Sequence, residues 1–135
     1  MFSIALGILL FAKPAFAALP PLSQEELAAQ TNCIVIGTVN HISDREIEVE
    51  LGTDIYYTAT VAIETIEKPS PTYELKVGAE IKVNYWQIGE RPLGWTGPGG
   101  QYAHLHLNQK YRLFLIGASE DNFALLEPNG CERID

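Results

Sequence analysis

From Cys33 to its last residues the sequence alternates with a period of two and is cut into short runs by glycine, proline, asparagine and aspartate. Side chains two apart share one face of a strand, so this pattern commits the chain to β-structure and leaves little room for helix. In 33–39, Ile34, Ile36 and Thr38 fall on one side and Val35, Gly37 and Val39 on the other, which marks a strand apolar on both faces. A turn is expected at Ser43-Asp44. In 46–51 the alternation is strict and predicts Ile47, Val49 and Leu51 inward, with Glu46, Glu48 and Glu50 as a solvated face. Further strands are expected at 55–66, 81–86, 103–107, 111–116 and 123–126, with prolines at 69 and 71 closing the long one. Six or seven short strands at this spacing indicate a mostly β fold, either a sandwich or a small closed Greek-key barrel with one long loop and one short helix.

The helix is announced by Ser23-Gln24-Glu25-Glu26, a capping box in which Ser23 and Glu26 satisfy each other's backbone amides, and it is expected at about 24–30. Ahead of it, residues 4–12 form a short apolar run followed by Ala15-Phe16-Ala17, the small-x-small pattern that signal peptidase accepts. The chain therefore divides into a signal peptide at 1–17, an N-terminal extension at 18–32 and one β domain at 33–135. Export to a periplasm, thylakoid lumen or the extracellular medium is expected, with no membrane span after cleavage, because the apolar run is too short to cross a bilayer. The run lacks the usual preceding Lys or Arg, which places the expected true start upstream of Met1. In such a compartment the two cysteines, Cys33 and Cys131, are expected to join as a disulfide tying the last strand to the first.

The chain is globular in composition, 47% apolar and 19% charged, but carries 17 acidic against 9 basic residues, a net charge of −8. That balance argues against nucleic acid as a partner, since phosphate binding needs clustered basic side chains. No nucleophile elbow, zinc-protease helix, dinucleotide fingerprint or P-loop occurs, so no catalysis is predicted.

The order Cys-Ile-Val-Ile-Gly-Thr-Val at 33–39, Tyr-Tyr-Thr-Ala-Thr-Val at 56–61, Lys-Val-Gly-Ala-Glu-Ile-Lys-Val at 76–83 and Lys-Tyr-Arg-Leu-Phe-Leu at 110–115 resembles the netrin-like OB-fold superfamily. That superfamily includes the tissue inhibitors of metalloproteinases and many secreted bacterial proteins. The resemblance implies an OB-like barrel over roughly 33–131. It does not extend to protease inhibition, because those inhibitors chelate zinc through a mature N-terminal cysteine and Cys33 lies well inside the expected mature chain.

The candidate binding surface is the loop from Gly89 to Tyr102, too rich in glycine and proline for a strand, together with its flanks. Tyr85, Trp86, Arg91, Trp95 and Tyr102 are the residue types that anchor interfaces, and they suit a protein or peptide partner. Tyr85 and Trp86 are expected to pack in or on the barrel and Trp95 to be exposed. The alternative reading is a copper or zinc protein using His104 and His106, which a strand would place on one face; a third ligand is not identifiable. A second alternative is a small secreted hydrolase whose carboxylates the sequence does not single out.

Overall fold

The computed structural model describes residues 20–95, 104–127 and 129–135. The expected signal peptide, Tyr102 and the loop residues 96–103 lie outside this range. Helix α1 (Gln24–Gln30) is followed by strands β1 (Cys33–Val49), β2 (Gly52–Lys68), β3 (Glu80–Ile88), β4 (Lys110–Ser119), β5 (Asn122–Leu125) and β6 (Cys131–Ile134). The strands form one sheet in the order β1-β2-β3-β5-β4-β6, and a further β1–β4 pairing closes it into a ring. All pairings are antiparallel except β3 with β5, which run parallel. No helix among the described residues is long and apolar enough to cross a membrane.

Inside the ring lie Val35, Val39, Ala59, Val61, Ile63, Ile81, Val83, Leu113, Leu115 and Phe123, each at most 2% exposed. Burying side chains of this size stabilises by about 1.5–3 kcal/mol apiece, so this closed core is the main source of stability. Gly37 is required where β1 crosses β2, because a Cβ there would meet the Ala62 carbonyl at 2.5 Å. A smaller cluster outside the ring packs Leu27 of α1 and Leu22 against Ile34, Phe114 and Leu126. The capping box forms as the sequence implies, and at the other helix end Lys68 Nζ donates to the carbonyls of Ala28 and Thr31 at 3.0 and 2.8 Å. A cation at those carbonyls complements the negative end of the helix.

Both ends of the ring are closed. At one end, Tyr73 and Leu75 from the β2–β3 connection pack against the core, Tyr73 edge-on to Phe123. At the other end, Leu105 inserts as a plug and is 5% exposed. Its backbone is held from below: the His106 amide donates to Tyr111 Oη at 3.0 Å, and the Tyr111 hydroxyl donates to the His104 carbonyl at 3.4 Å. Tyr85 shares a backbone hydrogen bond with Leu105, and Cys131 one with His104. Residues 104–109 are therefore a plug and not the strand expected there.

Three further expectations are corrected. The first concerns the turn at Ser43-Asp44, where β1 instead continues to Val49. The second follows from an irregularity at Asn40, where the register moves from Val39 opposite Val61 to His41 opposite Thr60. One extra residue in a strand exchanges its faces. Beyond Asn40 the core side of β1 carries Ile42, opposite Ala59, followed by Asp44, Glu46 and Glu48, while Arg45, Ile47 and Val49 turn to the outer face of the ring. The alternation expected over 46–51 holds only as far as Val49 and with the opposite orientation, while Glu50 and Leu51 form the hairpin turn with Leu51 53% exposed.

The third correction is the disulfide: Cys33 and Cys131 are free thiols. Cys33 pairs with Leu115 on one edge of β4, and Cys131 pairs with Leu113 on the other. A whole strand lies between them. Two strand spacings amount to about 10 Å, beyond the roughly 7 Å between Cα atoms that a disulfide can bridge. Burial pushes the Cys33 thiol up to about 11, against a smaller opposing pull from Lys68, and burial raises Cys131 as well. Burial thus keeps both thiols protonated at neutral pH, Cys33 in the core and Cys131 half-buried against it.

Candidate binding groove

The outer face of the ring near the β1–β2 hairpin gathers side chains from five strands. Cross-strand pairing aligns Arg45 with Tyr56 and Tyr56 with Trp86, and the Tyr56 and Trp86 rings stack with centroids 6.3 Å apart. Next to them, β3 and β5 run parallel only from Lys82 opposite Asn122 to Asn84 opposite Ala124. Beyond that point the β3–β5 ladder ends, and a groove of about 550 Å³ opens there, with Trp86, Ile116, Leu126 and Glu127 in its lining. Thr58, Asn84 and Ala124 lie along its floor.

The floor is fixed by Asn84, whose amide ties β3 to β2 and β5. Thr58 Oγ1 donates to Asn84 Oδ1 at 2.8 Å, and Asn84 Nδ2 donates to Asn122 Oδ1 and the Phe123 carbonyl, both at 3.1 Å. This staple sits where the parallel ladder ends and sets the position of the split. The groove walls are unusually apolar for a surface: Tyr56 is 40% and Ile116 39% exposed. A contiguous exposed apolar patch of this kind marks an interaction surface more often than a solvated one.

Gly89 to Trp95, the described half of the long loop, folds back along this same face. Its start is laced to β2 by backbone bonds between Thr53 and Glu90 and between Gly89 and Thr53, at 3.0 and 2.9 Å, and by Thr53 Oγ1 accepting from the Glu90 amide at 2.8 Å. Gly52, at φ +146°, makes this possible, since a Cβ there would collide with the Glu90 carbonyl. Arg91 is pinned as well. Its guanidinium pairs with Asp54 and donates to the carbonyls of Thr53 and Glu90, and Trp95 lies against it with 5.2 Å between the guanidinium carbon and the ring centroid. Asp54 is two residues from Tyr56 on the same face of β2, so the Arg91–Trp95 stack stands next to the Tyr56–Trp86 pair.

The remaining residues singled out from sequence have different places. Tyr85 turns into the ring, 5% exposed, with its ring 5.0 Å from that of Tyr57. Burial, and secondarily the neighbouring Tyr57, pushes the Tyr85 phenol up to about 12. Arg91 is committed to an internal ion pair and acts as a clamp for the loop. His104 and His106 flank the Leu105 plug with rings nearly parallel and 6.4 Å apart, and Gln87 Nε2 is 3.2 Å from His104 Nδ1. Among the described residues no group of three His, Cys, Asp or Glu side chains converges on a point that could hold a metal ion. Arg45, Tyr56, Ile116 and Leu126 were missed in the sequence because they come from separate strands and only the closed ring brings them together. The nearest signal was the adjacent pair Tyr56-Tyr57, in which one ring must face out if the other faces in. No family model, curated protein or solved structure matches the chain.

Proposed function

We propose that this protein is an exported binding module that engages a protein or peptide through the outer-face groove and the loop from Gly89 to Tyr102, whose described part, Gly89 to Trp95, is pinned beside the groove. The observation that carries the proposal is the groove of about 550 Å³, walled by Tyr56, Trp86, Ile116 and Leu126, with the Arg91–Trp95 stack at its side. Its floor and one flank are rigidly held, so binding costs little ordering entropy. Catalysis is not part of the proposal. The ring order β1-β2-β3-β5-β4 closing on β1, with β3 and β5 parallel, supports assignment of the fold as a small OB-like Greek-key barrel, in keeping with the netrin-like resemblance. Export rests on the apolar leader and its small-x-small site.

The test is selection of a displayed peptide library on the purified domain, followed by affinity measurement on single variants. Tyr56→Ala and Trp86→Ala are each expected to weaken an enriched peptide at least tenfold, and Trp95→Ala to weaken it less. Binding unchanged in both Tyr56→Ala and Trp86→Ala would refute the groove as the site.

A further inference from the structure

The charged groups around the groove are not equivalent. Of the four arginines, Arg91 is paired with Asp54, Arg112 with Glu67 and Glu132, and Arg133 with Asp135 at 3.9 Å. Arg45 is exposed, sits at the groove and forms no ion pair among the described residues. The acid nearest it along the outer face of β2, Asp54, is already engaged by Arg91. At the opposite end of the groove Glu127, also exposed, has no basic partner among the described residues. Between these two ends the walls are aromatic and aliphatic, over a floor that includes Thr58 and Asn84. The groove thus has a positive end, mainly apolar walls between, and a negative end.

Its direction also follows from the sheet. Arg45 is on β1, Tyr56 on β2, Trp86 on β3, and Glu127 just beyond β5, so the groove crosses the strands. Three strand spacings make its length at least about 14 Å, since β3 and β5 part here, which accommodates four to five residues of extended peptide at about 3.3 Å each. A free carboxylate-binding arginine recognises planar anions through two parallel hydrogen bonds and is worth most where an apolar surround excludes water.

Building on the groove as the binding site, we infer that its ligand is an extended peptide segment of four to five residues lying across the strands, with an Asp or Glu side chain at Arg45, a Lys or Arg side chain at Glu127, and an aromatic or aliphatic residue between them against Tyr56 and Trp86. The overall charge of −8 draws the basic end of such a peptide towards the domain, and Arg45 supplies the local contact that sets its orientation.

The experiment is peptide-display selection on four forms of the full domain: wild type, Arg45→Glu, the double reversal Arg45→Glu/Glu127→Lys, and Tyr56→Ala/Trp86→Ala. All the charges changed are exposed, so folding is retained, and thermal melts check this. Wild type is expected to enrich peptides with an acidic and a basic residue three to four positions apart around an apolar one. Arg45→Glu is expected to lose at least tenfold in affinity for them, and the double reversal to enrich the opposite order of charges. If Tyr56→Ala/Trp86→Ala abolishes binding while Arg45→Glu leaves it within twofold, the polarity inferred here is wrong and the groove reading stands. If the aromatic pair can be removed without loss, the groove reading fails and this inference with it. Enrichment of no peptide, with wild-type domains instead forming a dimer that Trp86→Ala dissociates, would put a second copy of the chain in the groove and overturn the peptide assignment.

Discussion

Replacing Arg91 by Ala removes the clamp that ties the loop to the sheet, and its cost can be worked from the contacts it makes. The guanidinium serves Asp54, the Thr53 and Glu90 carbonyls, and the face of Trp95. Its side chain is 14% exposed and that of Asp54 12%. Removing one partner of a fully buried ion pair costs about 3–5 kcal/mol because the other charge is stranded. Here residual exposure lets water reach Asp54, so the expected loss is about 2–3 kcal/mol, which in a domain of this size lowers Tm by on the order of 10 °C or more. Asp54→Ala should cost less, because Arg91 keeps both carbonyls and the Trp95 face. The double substitution should fall short of the sum by about 1.5 kcal/mol, the signature of direct coupling. Urea denaturation supplies the energies, and tryptophan emission in a Trp86→Phe background, where Trp95 is the only tryptophan, reports the loop. Arg91→Ala should shift that emission to the red. A loss below about 0.5 kcal/mol with unchanged Trp95 emission would refute the clamp.

Other predictions concern the interior. Cys33 is held protonated by burial, with its pKa raised to about 11 from 9.0, so the unfolded chain releases this proton first as pH rises. Stability is therefore full below about pH 9 and falls as pH rises through 11, by on the order of 2 kcal/mol, and Cys33→Ala should flatten that decline in urea midpoints. Alkylation of the denatured, unreduced protein should add two iodoacetamide adducts by intact mass; none would show that the cysteines are joined and that the β1–β4–β6 arrangement is wrong. Leu105→Ala should destabilise by about 2–5 kcal/mol through the cavity left at the plugged end. It should also admit water to Tyr85, whose ultraviolet titration would move down from about 12 towards 10. An unchanged Tyr85 titration would contradict the plug.

How much of this was legible in the sequence depends on whether the information was local. The capping box at Ser23 and Glu26 is a contact within one turn, and α1 forms where it predicts. Most strand positions followed from the alternation for the same reason, but 104–107 is the plug and not a strand, β1 runs through the turn expected at Ser43-Asp44, and β6 was not anticipated. The face each strand presents did not, because a single irregular residue at Asn40 exchanges the two sides of β1 and nothing in 40–41 marks it as an insertion. The cysteines failed as a pair for a topological reason: nearness to the domain ends says nothing about β4 lying between them. The groove was only half legible. Trp86, Arg91 and Trp95 are close in sequence and were picked out together, whereas Arg45, Ile116 and Leu126 reach the same place through ring closure and the parting of β3 from β5.

The central claim, that the outer-face groove is where this domain binds, is tested most directly by nuclear magnetic resonance titration of the isotopically labelled domain with an enriched peptide. The shifted amides and side chains are expected to cluster at Arg45, Tyr56, Trp86, Ile116 and Leu126, with Trp95 at the margin. Shifts confined to the acidic inner side of the hairpin, at Asp44, Glu46 and Glu48, or to the Leu105 plug and its flanking histidines, would contradict it.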